Sequence, residues 1–146
     1  MNNFISHSLK DTEKFAKKFA EKLENGNVVL LYGDLGAGKT TLCKSIIKAL
    51  GYNGVVTSPT FTILNEYQGK ILSIHHFDMY RLESIDEAVE IGADEILKSG
   101  QGICLIEWPE KLAGILSKDA IKIYIESIDE NTRKFKVENY NDNTIL

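Results

Sequence analysis

The stretch that decides the fold is residues 28–41, which read VVLLYGDLGAGKTT. Its first five residues are an unbroken apolar run of strand length, as expected for a central strand covered on both faces. Residues 33–40 then match the phosphate-loop pattern G-x-x-x-x-G-K-S/T at every position. Apolar residues recur at helical spacing after the loop, at positions 42, 43, 46, 47 and 50. The order strand, glycine loop, helix is the context that a phosphate-binding loop requires.

The residue types of the loop suit phosphate chemistry. Glycines permit backbone conformations and a close approach that a Cβ would prevent, so successive N–H groups converge on phosphate oxygens beside the helix N-terminus. Lys39 is predicted to reach the β- and γ-phosphates, Thr40 to complete a magnesium shell and Thr41 to contact the α-phosphate. The chain is thus predicted to bind ATP or ADP with Mg²⁺. The predicted nucleotide-binding residues of the loop are Asp34, Leu35, Gly36, Ala37, Gly38, Lys39, Thr40 and Thr41.

Two acidic residues follow predicted strands. Glu107 comes after the apolar run 103–106, and Asp78 follows residues 71–77. Acids at such strand ends supply the magnesium ligand and the water-positioning group of phosphate-loop enzymes. We predict that Glu107 binds magnesium with Thr40, directly or through water, and that Asp78 positions the attacking water; Lys39 is the third predicted catalytic residue. The alternative for either acid alone is a helix cap or a partner for a lysine.

Other polar and aromatic side chains have two interpretations each. Thr60 senses the γ-phosphate, or it belongs to a simple loop whose geometry Pro59 fixes. Trp108 lies beside the phosphates, or it is an ordinary packing residue. His76 approaches a nucleotide or partner, or it is a hydrogen-bonded structural histidine, which we favour. His75 points to the opposite face of the strand, so the two histidines cannot chelate one metal together.

The remaining pattern predicts one domain over residues 1–146, an α/β fold. Its class is a P-loop NTPase-like three-layer sandwich, with a mixed, mainly parallel central sheet and helices on both faces. The first further element is a helix capped by Ser8 and stopped at Asn25-Gly26, and the second is a hairpin over 60–77 that turns at Gln68-Gly69. A helix is predicted from residue 85, with the capping box Ser84/Glu87 and a break or end at Gly92, and a less regular stretch follows to Gly100. The last elements are a short helix from Pro109 and a closing hairpin of 121–125 and 135–137.

Composition limits the classes of function. The chain has 146 residues, 43% of them apolar and 26% charged, which fits a globular domain rather than a disordered one. The net charge of −4 argues against broad clamping of nucleic acid, so we expect no DNA binding and contact with RNA only through a partner. No apolar run approaches bilayer length, which predicts a cytoplasmic protein without membrane attachment. Cys43 and Cys104 stand alone in apolar segments and are predicted to be buried thiols.

Four motifs together resemble the TsaE (YjeE) family, the bacterial ATPases of tRNA threonylcarbamoyladenosine biosynthesis. These motifs are GDLGAGKTT, SPTFTILNEY, HFDMYRL and ICLIEWPEK, in family order between residues 33 and 111. The resemblance implies action with the partner proteins TsaD and TsaB, in which TsaD transfers the threonylcarbamoyl group and ATP hydrolysis resets the complex.

The resemblance also implies roles for individual residues. Lys39, Thr40 and Glu107 would serve nucleotide and magnesium, Asp78 hydrolysis, and Trp108 would neighbour the nucleotide. Base contacts would come loosely from residues 9–12 and from Thr132-Arg133, which adds Arg133 to the nucleotide-binding set.

Two other functions stay open on the sequence. One is a small-molecule P-loop kinase; such kinases generally present lid arginines, and this chain has only Arg81 and Arg133. The other is a nucleotide-controlled binding module in which turnover is incidental. Phosphorylation of a metabolite would favour the first, and function without hydrolysis would favour the second.

Overall fold

The structure is a computed structural model that describes residues 2–140. It contains seven strands, four α-helices and one 3₁₀ turn within these residues. In chain order they are β1 (Asn2–Ser6), α1 (Leu9–Glu21), β2 (Val28–Tyr32), α2 (Lys39–Ala49), β3 (Leu64–Gln68), β4 (Ser73–Asp78), α3 (Ile85–Glu90), α4 (Ala93–Ser99), β5 (Ile103–Glu107), a 3₁₀ turn (Pro109–Leu112), β6 (Ile121–Ser127) and β7 (Arg133–Glu138).

One mixed sheet of seven strands organises these residues, in the order β1-β7-β6-β2-β5-β4-β3. The four central strands are parallel, since β2 pairs with β5 and β6, and β4 pairs with β5. The outer strands β3, β7 and β1 pair antiparallel. The expected mixed sheet is confirmed, and the run 28–32 is its central strand.

Both faces of the sheet are covered. Val29 and Leu31 pack with α1 and α2, whereas Leu30 packs on the opposite face with α3, α4 and the 3₁₀ turn. Successive strand side chains point to opposite faces, so two covering layers require an unbroken apolar strand. The predicted three-layer sandwich with helices on both faces is therefore confirmed.

The first helix begins where the sequence indicates. Ser8 is extended, and its Oγ accepts a hydrogen bond of 3.1 Å from the N–H of Asp11, as an N-cap does. The helix ends at Glu21, four residues before the predicted stop at Asn25-Gly26. Among residues 2–140, none of the helices has the length and apolar character needed to cross a bilayer.

The hairpin over 60–77 is shorter than predicted. Residues 60–63 form a turn in which the Ile63 N–H donates to the Pro59 carbonyl at 2.6 Å, and β3 starts only at Leu64. Ile63 has a φ of 70°, which no extended strand tolerates. The connection is also longer than Gln68-Gly69, because Gly69 bonds to the Leu72 carbonyl at 2.9 Å and β4 begins at Ser73.

The region 84–100 differs from the prediction in two ways. Ser84 stands at the N-cap of α3, but its side chain makes no capping hydrogen bond, so the predicted capping box does not form. The stretch predicted as less regular is the helix α4. Gly92 and Gly100 flank it in left-handed conformations, so α4 has only two turns. A helix of this length is too short to show a clear helical period in its apolar residues.

The strand β1 was not predicted. Its five residues are too few for alternation to be distinctive, and it forms by pairing along β7, with Phe4 opposite Phe135. Their rings stack with centroids 6.1 Å apart. The closing hairpin of β6 and β7 is confirmed, but β7 is covered on its outer side rather than forming the sheet edge.

Replacing Phe15 by alanine should lower the free energy of unfolding by about 3–5 kcal/mol, the usual cost of deleting a buried phenylalanine. Phe15 is 1% exposed, and its ring centroid lies 5.2 Å from Phe4 and 4.9 Å from Phe135. Urea denaturation followed by circular dichroism measures the loss. The matched control is Phe61→Ala, at a position 83% exposed, where the same deletion should change stability little. Equal losses at both positions would contradict this account of the core.

Candidate active site

The glycine loop lies where the parallel strands end. Residues 33–38 connect β2 to α2, and in the neighbouring strands Glu107 pairs with Leu31 on one side and Asp78 on the other. The carboxyl ends of parallel strands meet at one sheet edge, which is where open α/β sheets bind ligands. The two predicted acids are thus carried to the loop by strand pairing alone.

The loop backbone depends on its glycines. Gly36 and Gly38 have φ values of 81° and 106°, in the left-handed region that favours glycine. A Cβ on Gly33 would come within 2.8 Å of the carbonyl oxygen of Ile125, so this glycine permits close packing against β6. A Cβ on Gly36 would meet nothing within 4 Å, so the loop is open there. Gly38 begins α2, and no side chain caps that helix.

Lys39 is a buried cation at the start of α2. The residue is 5% exposed, and its ammonium donates a hydrogen bond to the Gly33 carbonyl. Nζ lies 3.3 Å from the centroid of the Trp108 ring, a cation–π contact. Burial lowers the pKa of Lys39, and the nearby carboxylates of Glu107 and Asp78 act in the opposite direction. These contacts hold the ammonium of Lys39 between the Gly33 carbonyl and the Trp108 ring, away from solvent.

Glu107 joins the loop to the interior of the sheet. Its Oε1 accepts a hydrogen bond of 2.8 Å from the Thr40 hydroxyl, and its Oε2 lies 2.7 Å from Nε2 of His76. The residue is 2% exposed. The two residues predicted to hold magnesium therefore meet, and their hydroxyl and carboxylate oxygens are the hard donors that this ion takes. The donor set fits Mg²⁺.

Asp78 is held by the segment that precedes β3. Its Oδ2 accepts a hydrogen bond of 3.2 Å from the Thr60 hydroxyl, and its Oδ1 accepts one of 3.0 Å from the Tyr80 N–H. Thr60 also bonds to Ser58 at 2.7 Å between hydroxyl oxygens. Asp78 is 5% exposed. Thr60 is thus brought beside the predicted catalytic acid rather than left in a remote loop.

A cleft of about 330 Å³ opens between these groups, near the lower bound of ligand pockets in proteins. The loop forms one wall, and the ends of β4 and β5 form the other. It is lined by Leu35, Gly36, Gly38, Lys39, Thr40, Thr41, Thr60, Asp78, Tyr80, Glu107 and Trp108. Most of the predicted site residues line this single cleft.

Asp34, Ala37 and Arg133 do not line it. Asp34 and Ala37 lie on the opposite side of the loop, in a cleft that also touches β6. Arg133 contacts the loop from the back: its Nε donates to the Ala37 carbonyl at 3.0 Å. Asp34 and Ala37 are thus part of the loop itself, and Arg133 contacts the loop through its guanidinium. None of the three lines the main cleft.

Tyr80 is a cleft residue that the sequence reasoning missed. Its ring centroid lies 4.9 Å from that of Trp108, and it is 47% exposed. The available signal was its spacing, two positions after Asp78 at the end of β4. Trp108 adopts a left-handed backbone with a φ of 57°, directly after β5, which turns its ring to the cleft beside Lys39. Of the two interpretations of Trp108, the structure favours the cleft position.

A second, smaller cleft of about 160 Å³ adjoins the loop near the start of α1. It contains Thr12 from the segment 9–12 and Arg133 from β7, so two regions that the family resemblance singled out for base contacts come together. Thr41 and Gly38 separate it from the main cleft. Its lining is Ser6, Ser8, Thr12, Gly38, Thr41, Glu130, Asn131, Arg133 and Phe135.

Both thiols are buried, as predicted, and the two neighbouring histidines make different contacts. Burial raises the pKa of Cys43 well above its ordinary value and raises that of Cys104 to about 12. His76 is fully buried and has the hydrogen bond that the interpretation we favoured predicts, to Glu107. His75 lies 3.7 Å from Glu66, away from this cluster.

Comparisons with known proteins identify the family. The family model for "Threonylcarbamoyl adenosine biosynthesis protein TsaE" matches residues 6–135. A "tRNA threonylcarbamoyladenosine biosynthesis protein TsaE" of Rickettsia typhi is 42% identical over 137 residues, 92% of this chain and 94% of that protein. Its counterpart of the same name in Bacillus subtilis is 40% identical over 124 residues, 85% of this chain and 77% of that protein.

A solved structure agrees with the sequence relatives. The crystal structure of Bacillus subtilis YdiB superposes with a TM-score of 0.73 at 31% identity, covering 98% of this chain and 88% of that chain. The family match spans most of the chain and includes the glycine loop, both strand-end acids and Trp108. The chain therefore belongs to the TsaE family of tRNA threonylcarbamoyladenosine biosynthesis.

Proposed function

We propose that this chain is the Mg²⁺-dependent ATP-binding and ATP-hydrolysing subunit required for threonylcarbamoyl modification of the adenosine next to the anticodon in tRNAs. It acts in the cytoplasm with TsaD and TsaB and sustains their turnover, while tRNA contacts it only through the complex. The observation that carries the proposal is the 2.8 Å bond between Thr40 of the loop and Glu107 at the end of β5. It joins the phosphate-binding and metal-binding halves of one site.

The loop supplies the binding energy for the phosphates. Backbone N–H groups around Gly36 and Gly38 and the N-terminus of α2 attract the anionic oxygens. Lys39 leaves the Gly33 carbonyl and the Trp108 ring to pair with the β- and γ-phosphates. Thr41 lines the same cleft and contacts the α-phosphate. The nucleotide base lies toward the smaller cleft beside the loop, which Thr12 and Arg133 both line.

Hydrolysis is assigned to the acids opposite the loop. Thr40 and Glu107 would hold the magnesium ion, which would neutralise charge on the phosphates that Lys39 binds. Asp78 accepts a hydrogen bond from the attacking water and orients it toward the γ-phosphate. Thr60, which already bonds to Asp78, reports the presence of that phosphate to the exposed segment that contains Ser58.

The kinase alternative receives no support from the cleft. Phosphoryl transfer to a second substrate generally uses arginines that close over the phosphates. Within residues 2–140, the guanidinium of Arg81 lies 5.4 Å from the Phe61 ring, and that of Arg133 is bonded to the Ala37 carbonyl. Neither arginine lines the main cleft.

Reconstitution tests the proposed function. The purified chain should hydrolyse ATP slowly alone and faster after addition of TsaD and TsaB. In a mixture of TsaB, TsaD, tRNA and the activated threonylcarbamoyl donor, multiple turnovers of modified tRNA should require this chain. An ATPase rate indifferent to the two partners, or unchanged turnover without the chain, would refute the proposal.

Trp108 should report nucleotide binding directly. It is the only tryptophan of the chain, and its ring lies against Lys39, which moves to the phosphates. Addition of Mg²⁺-ADP should therefore change the tryptophan emission in a saturable titration. A Tyr80→Phe variant, which keeps the neighbouring ring, should titrate in the same way. Emission that stays constant while calorimetry detects binding would contradict the proposed position of the nucleotide.

A further inference from the structure

The fully buried imidazole of His76 has no assigned task in nucleotide binding, yet it touches the residue proposed to bind magnesium. We propose that His76 is a positioning residue: its Nε2–H holds Oε2 of Glu107, so that Oε1 faces the Thr40 hydroxyl and the cleft. This inference rests on the proposed function, because it concerns the metal site of that same cleft.

The strands place His76 behind Glu107 rather than in the cleft. In the pairing of β4 with β5, His76 lies opposite Leu105 and Asp78 lies opposite Glu107. Residues two apart share a face, so His76, Asp78 and Glu107 all project toward α2. Asp78 and Glu107 line the cleft, whereas His76 has no exposed surface. The imidazole therefore acts on a ligand only through Glu107.

The hydrogen bonds define how Glu107 is held. One carboxylate oxygen is fixed by His76 at 2.7 Å and the other by Thr40 at 2.8 Å, which leaves the carboxylate little rotational freedom. Nδ1 of His76 is buried without a hydrogen-bond partner among the described residues. The tautomer with its proton on Nε2 satisfies this arrangement, because a proton on Nδ1 would be buried without an acceptor.

The surroundings explain why the carboxylate needs such support. Sγ of Cys43, one turn after Thr40 on α2, lies within 4.8 Å of the ligand atoms of His76 and Glu107. Among the described residues, the side chains that donate a hydrogen bond to Glu107 are those of Thr40 and His76. Groups that orient metal ligands in this way are typically worth 10- to 100-fold in metal affinity.

The decisive experiment separates metal-dependent from metal-independent nucleotide binding. ADP affinity of the purified chain is measured by calorimetry in Mg²⁺ and again in EDTA, for the wild type, His76→Asn and His76→Gln. The amide nitrogen of glutamine reaches the position of Nε2, whereas that of asparagine reaches only the position of Nδ1. We expect His76→Asn to bind ADP about tenfold more weakly in Mg²⁺ and with unchanged affinity in EDTA, and His76→Gln to recover most of the loss.

Cys43→Ala is the matched control, because it alters the same buried cluster without touching a hydrogen bond of Glu107; it should keep the wild-type enhancement by Mg²⁺. Equal losses in Mg²⁺ and EDTA, or a loss in His76→Gln as large as in His76→Asn, would overturn the inference in favour of a packing role. A wild-type chain that shows no enhancement by Mg²⁺ would overturn the proposed function. Full enhancement in both His76 variants would overturn the inference alone.

Discussion

Replacing Lys39 by alanine should reduce ATP hydrolysis by at least about 10²-fold, the scale of losing one preorganised charge at a phosphoryl-transfer site. The ammonium is the only cationic group among the residues that line the main cleft. It is buried beside Glu107 and Asp78, so without it the phosphates would face two carboxylates with no compensating side-chain charge. The steady-state rate is measured by phosphate release at saturating Mg²⁺-ATP.

The control for this variant is Lys44→Ala, which removes the same charge from an exposed position of α2. It should hydrolyse ATP like the wild type. Both variants should unfold in urea near the wild-type midpoint, so that a loss of rate is not a loss of fold. Hydrolysis that survives Lys39→Ala unchanged would show that the loop does not bind the transferred phosphate.

The parts of the fold that could be predicted are those that local chemistry determines. The loop glycines require conformations that few other residues adopt, and the strand 28–32 is apolar because both of its faces are covered. The acids at positions 78 and 107 could be predicted because each stands at the end of a predicted strand. For these two acids, the sequence did not indicate which strands pair with one another, and the structure shows that β4 and β5 are neighbours.

The parts that could not be predicted depend on distant residues. The strand β1 has no pattern of its own and exists because β7 offers it a free edge and Phe135 a stacking partner. The bond between His76 and Glu107 joins positions 31 residues apart on different strands, and no local spacing indicates it. Tyr80 stood inside a recognised motif, but its contact with Trp108 needs the register of β4 and β5.

Asp78→Asn should separate binding of ATP from its hydrolysis. Asparagine has nearly the same shape, and its amide oxygen can still accept the hydrogen bond that the Tyr80 N–H gives to Oδ1. The amide nitrogen that replaces Oδ2 cannot accept a hydrogen bond from the attacking water, so hydrolysis should fall about 10²-fold or more, the lower end of what a positioned proton acceptor contributes. Affinity for Mg²⁺-ATP should change little, because Lys39, Thr40 and Glu107 are unaltered. Equilibrium titration and phosphate release measure the two quantities.

The same variant decides between an ATPase and a nucleotide-controlled binding module. Asp86→Asn, which removes an exposed carboxylate from α3, is the control and should keep full activity in both assays. If turnover of ATP resets the partner complex, Asp78→Asn should allow at most one round of tRNA modification per complex. If modification continues for many rounds without hydrolysis, the nucleotide only fixes a surface. In that case the uncleaved γ-phosphate keeps Thr60 and its segment in one ATP-bound arrangement throughout. Counting modified tRNAs per complex therefore distinguishes a chemical cycle from a static docking state.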